Sequence, residues 1–556
     1  MYTAETRSCK ECKNSFVIEP DDFGFYEKMG APAPANCPEC RFKWRALFRN
    51  EMTLYSRQCD LCQKKMISVY HAKAPYTVYC QECYDSDKWD PFSYKQDYDE
   101  AKPFFDQFGA LMERVPKRAL GITTGSGPNV NSDYTNVASS NKNCYLVFNT
   151  SLCEDSMYSR GLKNCKEAID TYFGVGMERC YEAVNVNQSN GVIFGQNCTS
   201  CVDCIFAMNL SGCTNCFGCV NLRNKSHCFF NEQLTKEEYD KRVGEIMGSH
   251  TRFTEARKKF EEFSLEFPRR QDNNLKSVDS VGDYLFECKN SKESFEQSNC
   301  EDCKFGFANK NAKNCYDIMG YGYNCEFLLD SCASGLSSNC IGAYWAELSR
   351  NIEYSYFVKN CNDCIGCDGL KNGSYCVLNK KYTKEEYQKI REKIVTELKA
   401  KELYGMFIPP KLSPFAYNET IGYDNFPITK EEAIAAGFRW QDDVQMTKGK
   451  GTLTSENIPD NIKDVPASMV KEVLTCINCE RNYLITPAEL QFYQKMKLPI
   501  PRRCFFCRHA DRLLRRGPMK IFDRTCGKCG KEMKTTYSPK SPEKVYCIPC
   551  YQAEVA

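Results

Sequence analysis

Cys9-Lys10-Glu11-Cys12, Cys37-Pro38-Glu39-Cys40, Cys59-Asp60-Leu61-Cys62 and Cys80-Gln81-Glu82-Cys83 decide how this chain is read, because the chain contains them twice. The four Cys-x-x-Cys pairs return as Cys476/Cys479, Cys504/Cys507, Cys526/Cys529 and Cys547/Cys550, each offset by 467 (476 − 9), with no insertion or deletion. Side chains between the pairs repeat as well: Phe25-Tyr26-Glu27-Lys28-Met29 becomes Phe492-Tyr493-Gln494-Lys495-Met496. A spacing kept so strictly answers a geometric demand, and tetrahedral coordination by four thiolates is such a demand. The pattern predicts four Zn2+ sites, two at each end, with all sixteen of these cysteines as ligands. Every ligand position is filled by cysteine, so no place remains for a catalytic water and the sites read as structural. Zinc affinity of roughly 10–16 kcal/mol per site would carry most of the folding free energy of such small units.

Composition supports metal over disulfides. Cysteine accounts for 38 of 556 residues, and this chain is far longer than the small secreted domains in which such richness means disulfides. Residues 1–7 show no apolar signal region, and no apolar run reaches the ~18 residues of a membrane span. The expectation is a reducing cytoplasm and no membrane. Only His71, His227, His250 and His509 occur, so mixed cysteine–histidine sites are excluded as a general theme. The formal charge of +2 falls to −6 when four sites of net −2 each are counted (2 − 8).

In chain order, residues 1–90 read as a tandem zinc-ribbon module and 91–122 as a linker with a helix. In that helix the apolar positions 104, 105, 108, 111 and 112 share one face, expected to cap the next domain. Residues 471–556 repeat the first module. Cys40 and Cys507 each open an apolar-faced helix, the plan of a treble clef, where free backbone N–H groups favour thiolates. The run Cys-x-x-Cys, Phe-Tyr-x-Lys-Met, Pro-x-x-Cys-x-x-Cys-Arg resembles the bacterial "probable zinc-ribbon" treble-clef family over about 45 residues at each end. That resemblance implies zinc binding and no activity. The rest of the chain resembles Cys-rich repeat proteins.

Residues 123–234 and 277–382 each hold 11 of the remaining 22 cysteines. In the second, Cys288, Cys303, Cys325, Cys340, Cys361 and Cys376 are separated by 15, 22, 15, 21 and 15; in the first, Cys144, Cys165, Cys180, Cys201 and Cys216 by 21, 15, 21 and 15. Asn often precedes the cysteine. Short fixed periods indicate a solenoid, here a parallel β-helix with cysteine filling a narrow interior and Asn at left-handed corners. The two blocks are duplicates, since Cys213, Cys216, Cys219 and Cys228 recur as Cys361, Cys364, Cys367 and Cys376. Capping boxes at Thr235 and Thr383 start a helical insertion over 235–276 and a helix over 383–404; 405–470 reads as a connector. The expected fold is mainly β and multidomain: paired ribbon modules at both ends flanking a Cys-rich solenoid.

Arg508, Arg512 and Arg516 stand at i, i+4 and i+8 with Arg515 beside them, and Arg41, Arg45 and Arg49 match them. A guanidinium stripe reads either as phosphate contact with RNA or DNA or as compensation of nearby negative charge. Residues 471–556 carry 17 Lys/Arg against 8 Asp/Glu, or +5 after two zinc sites; residues 1–90 carry 13 of each, or −4. The stripe at Arg508–Arg516 is therefore the nucleic-acid candidate. The runs Cys198/Cys201/Cys204, Cys213/Cys216/Cys219 and Cys361/Cys364/Cys367 read as interior packing, with extra metal as the other option. Asp170, Glu182, Asp330 and Glu347 fall near rungs, yet no phosphate loop, nucleotide fingerprint or catalytic triad accompanies them. The sequence thus predicts a non-enzymatic zinc scaffold that binds nucleic acid or a protein assembly, with no small-molecule substrate. The alternative is a β-helix enzyme or binding protein acting on polysaccharide.

Overall fold

The computed structural model describes residues 2–121, 127–442, 444 and 447–555. The expected boundary at 122/123 lies outside them. The fold is mainly β, and two long parallel ladders dominate it.

The first ladder runs in sequence order from Thr135–Ser139 to Glu232–Gln233 in a 10-stranded sheet. Neighbouring strands pair in parallel at a step of twelve residues: Thr135 with Val147, Val147 with Ser159, Tyr172 with Val184, Cys216 with Cys228. Columns of backbone hydrogen bonds follow that step, as in Tyr145 N to Ser156 O (3.0 Å), Met157 N to Ala168 O (3.0 Å) and Ile169 N to Cys180 O (2.9 Å). The second ladder, from Val281–Asp283 to Lys380–Lys381, opens on an eleven-residue pairing, Val281 with Lys292, and then keeps the same step over most of its length. Both finish on a short antiparallel strand before the helices Lys236–Ile246 and Lys384–Ala400, whose Thr235 and Thr383 caps accept from the N–H of Glu238 and Glu386.

Within each twelve-residue step the chain repeats every three residues. Asn143, Leu146, Asn149, Leu152, Asp155 and Tyr158 all lie at φ between 50° and 58°. Every third residue turns a corner and the next one points inward, so Asn143 is followed by buried Cys144. Asn suits the corner because its short polar side chain tolerates left-handed geometry. It also links corners one step apart: Asn131 Nδ2 donates to Asn143 Oδ1 (3.0 Å) and Asn143 Nδ2 to Asp155 Oδ1 (3.0 Å). The second ladder contains one thirteen-residue step, Cys315 to Leu328, which shifts its three-residue phase by one. That step is why one cysteine spacing there is 22 while the others are multiples of three.

Two separate interiors result, each packed with cysteine, alanine, valine and leucine. The thiols do more than fill space. Cys144, Cys198 and Cys364 donate to the carbonyls of Lys142 (3.4 Å), Gln196 (3.4 Å) and Asn362 (3.3 Å), two residues back. A small apolar side chain with a weak donor suits a tightly coiled backbone that turns carbonyls inward.

The ladders lie side by side and run antiparallel. Asn197 bonds Asn273 (2.8 Å), Tyr172 donates to Glu296 (2.6 Å), and the Arg160 guanidinium lies 5.6 Å from the Phe307 ring centroid. The paired end modules expected to flank a solenoid lie against two such ladders. Each module packs mainly along the flank of the ladder more distant in sequence, and Thr536 of the second also donates to Asp283 at the start of the second ladder (2.9 Å). Phe25 stacks on Tyr316 (3.9 Å) and Phe42 meets Phe307 edge-on (5.4 Å), both in the second ladder. Tyr493 meets Tyr181 (5.7 Å) and Phe505 meets Tyr158 (5.3 Å), both in the first. The helix Phe104–Arg114 buries the expected face, but against Tyr354 of the second ladder rather than the adjacent first.

A β-branched residue at a corner tests this reading. Asn143→Val should destabilise by about 1–2 kcal/mol through its left-handed dihedral, and Asn143→Gly by less. Denaturant midpoints would measure both.

Candidate metal centres and the buried arginine network

The sixteen end cysteines converge as four quartets: Cys9/Cys12/Cys37/Cys40, Cys59/Cys62/Cys80/Cys83, Cys476/Cys479/Cys504/Cys507 and Cys526/Cys529/Cys547/Cys550. Within each, the sulfurs lie within 4.8 Å of one another. Each quartet joins a knuckle after a short strand to a pair at a helix start; Cys37, Cys80 and Cys504 are N-cap residues. A tetrahedral thiolate site with bonds of about 2.3 Å has sulfur–sulfur edges of about 3.8 Å. Cys12–Cys37 is 3.7 Å, Cys62–Cys80 3.8 Å, Cys476–Cys507 3.8 Å, Cys479–Cys504 3.6 Å and Cys529–Cys547 3.8 Å. Disulfides need about 2.05 Å, and the described cysteines are all free. The residues present therefore fit a four-coordinate metal ion.

Backbone geometry prepares the thiolates. The N–H groups of Cys37, Cys80 and Cys547 donate to the sulfurs of Cys9 (3.3 Å), Cys59 (3.2 Å) and Cys526 (3.3 Å). Burial pushes the Cys526 thiol up, but the N–H groups of Cys529, Cys547 and Lys528 outweigh it and bring it down to about 6. Cys59 and Cys476 come down to about 7 by the same balance. The ladder runs Cys198/Cys201/Cys204, Cys213/Cys216/Cys219 and Cys361/Cys364/Cys367 form no comparable metal-ligand group among the described residues.

The arginine stripe faces inward. In the helix Phe505–Arg516, Arg512 is fully buried, with Arg508 and Arg516 nearly so. Arg508 Nε bonds Asp170 (2.8 Å); Arg512 Nη1 bonds Asp170 (3.0 Å) and lies 3.3 Å from Glu182. Arg515 bonds Glu182 (3.0 Å), and Arg516 reaches the Tyr172 hydroxyl (3.0 Å) and Glu296 (3.6 Å). The duplicate repeats the arrangement on the other ladder: in the helix Pro38–Ala46, Arg41 forms an ion pair with Asp317 (3.0 Å) and Arg45 pairs with both Asp317 and Asp330. Between them Glu51 joins Arg49 to Arg160. Burial pushes the Glu51 carboxyl up, yet Arg160 and Arg49 overcome it and hold it at about 2.

The spacing explains the fit. Asp170 and Glu182 are twelve residues apart, one ladder step of about 4.8 Å, and one helical turn rises about 5.4 Å. A helix laid along the stacking direction thus meets a fresh carboxylate at each turn. Ladder carboxylates thus pair with Arg508, Arg512, Arg515 and Arg516, the four residues expected to contact nucleic acid. Sequence reasoning missed Asp317, Glu296, Glu51 and Arg160 as members. The duplication held the signal, since Arg41 and Arg45 match Arg508 and Arg512 and each pair has two acids one step apart. It also missed the helix Pro487–Lys495, although Thr486 and Glu489 form a capping box.

Compared with known protein families and curated proteins, the chain matches none. Among the described residues no helix is long and apolar enough to cross a membrane.

Asp170→Ala would leave Arg508 and Arg512 short of their shared partner. The expected loss is about 3–5 kcal/mol, against about 0–1 kcal/mol for Lys142→Gln, whose partner Glu154 is also exposed. Equilibrium urea unfolding would compare the two.

Proposed function

We propose that the protein is a non-catalytic scaffold held together by four structural zinc ions. In this reading each ladder is a parallel β-helix with four short sides per turn, and each end module is a treble clef paired with a smaller ribbon. The observation that carries it is the set of four all-cysteine quartets at tetrahedral edge lengths. Four soft thiolates select zinc over hard cations, and a filled coordination sphere leaves the metal a structural role.

The partner is a protein assembly. Nucleic acid loses its main carrier, since the arginine stripe is neutralised inside the molecule. The polysaccharide reading loses its carboxylates for the same reason. Asp170, Glu182 and Asp330 pair with arginines, and Glu347 pairs with Lys359 at 3.3 Å. All four are buried, so a polysaccharide chain has no access to them.

Metal analysis of the purified protein should return four zinc per chain and no iron. Cys504→Ser should remove one zinc and loosen the helix Phe505–Arg516, seen as faster amide exchange at Phe505–Leu513. A content of two or fewer, or stable iron, would overturn the scaffold. Separately, the intact protein should pass through heparin at near-physiological salt; firm retention with a steep salt slope would restore nucleic acid.

A further inference from the structure

The two end modules are copies, yet among the described residues one matching surface is covered and the other bare. On the first, the connector packs over the helix Pro38–Ala46: Leu47 is 3% exposed, against Tyr417 and Ala433. Ser413 Oγ donates to Leu47 O (2.7 Å), and Lys43 lies over the rings of Tyr417 (5.7 Å) and Phe438 (5.2 Å). The residue matching Leu47 in the second module is Leu514 (47 + 467), and it is 80% exposed.

Leu514 is not isolated. Phe506, Ala510, Leu513 and Leu514 stand at i, i+4, i+7 and i+8 on the helix Phe505–Arg516, and each is exposed or half-buried. Surface helices normally bury their apolar stripe and solvate their charges. This one does the reverse, with its arginines inside and its apolar stripe outside. The covered counterpart carries Glu39, Lys43, Ala46 and Leu47, so the bare face is the more apolar of the two. The stripe forms one wall of a cleft of about 620 Å³, with Tyr423 and Trp440 of the connector on the other wall. At the cleft, His509 is buried, with Nε2 3.9 Å from Asp424.

We propose that this stripe and cleft dock an aromatic-bearing segment of a partner polypeptide, as the connector over residues 413–440 docks on the first module. The internal copy shows what covers such a face. A second molecule of this chain is a poorer occupant, because its own connector is already bound to Leu47. The proposal deepens the scaffold reading by naming the surface, and rests on it for the kind of partner.

The test uses the full-length, metal-loaded protein and a fluorescein-labelled peptide with the sequence of residues 413–440. Fluorescence anisotropy should give saturable binding to one site. Leu514→Asp, at a side chain outside the core, should weaken it at least tenfold, and Leu514→Met less than threefold. Absence of saturable binding, or equal binding by Leu514→Asp, would overturn the proposal. So would a sedimenting dimer that Leu514→Asp dissolves, since the face would then belong to a second copy. Zinc measured on the same samples separates the two claims: four zinc without peptide binding sinks the docking surface alone, and two or fewer sinks the scaffold.

Discussion

Buried pairing between helix arginines and ladder carboxylates is the constraint on which the rest of this structure depends. Asp170, Asp317 and Asp330 are fully buried, as are Arg45 and Arg512. An unpaired charge in such a place costs several kcal/mol, so neither partner tolerates the other's absence. The pairs therefore specify an arrangement more than they add stability. They fix which flank each module covers and the register at which the helix lies along the ladder. That register works because one helical turn and one ladder step are nearly equal in length.

The central residues lock the halves to each other. Glu51 follows the first module helix, Arg160 lies in the first ladder and Glu296 in the second. Arg160 bonds Glu51 (2.6 Å) and lies 3.5 Å from Glu296, while Tyr172 links Arg516 to Glu296. One buried chain of charge thus touches both modules and both ladders. Because each module clamps the ladder remote in sequence, the contacts cross, and neither half of the chain can complete its own interface.

Cysteine serves two unrelated purposes within one chain. At the ends it sits at turns and helix starts, where backbone N–H groups point at sulfur and, at Cys59 and Cys526, outweigh burial and bring the thiol down, while at Cys504 burial wins and pushes it up to about 11. In the ladders it points into a narrow apolar interior, where burial pushes the Cys144 thiol up to about 11. There the thiol donates to a carbonyl. The same element is a metal ligand where donors converge on it and a packing residue where acceptors do.

The sequence by itself determined what depends on local spacing. Quartet membership was legible because a duplicated Cys-x-x-Cys pattern leaves one natural grouping at each end. The repeating middle was legible from cysteine spacing, although spacings of 15 and 21 concealed the shorter unit; only their common factor of three points to it. Capping boxes at Thr235 and Thr383 located helix starts, since a cap is satisfied within four residues. Which faces meet was decided only by the tertiary structure. A guanidinium stripe looks the same in sequence whether a phosphate or a carboxylate 338 residues away completes it, as Asp170 completes Arg508. Sequence records a charge, while the identity of its counter-charge depends on how distant segments pack.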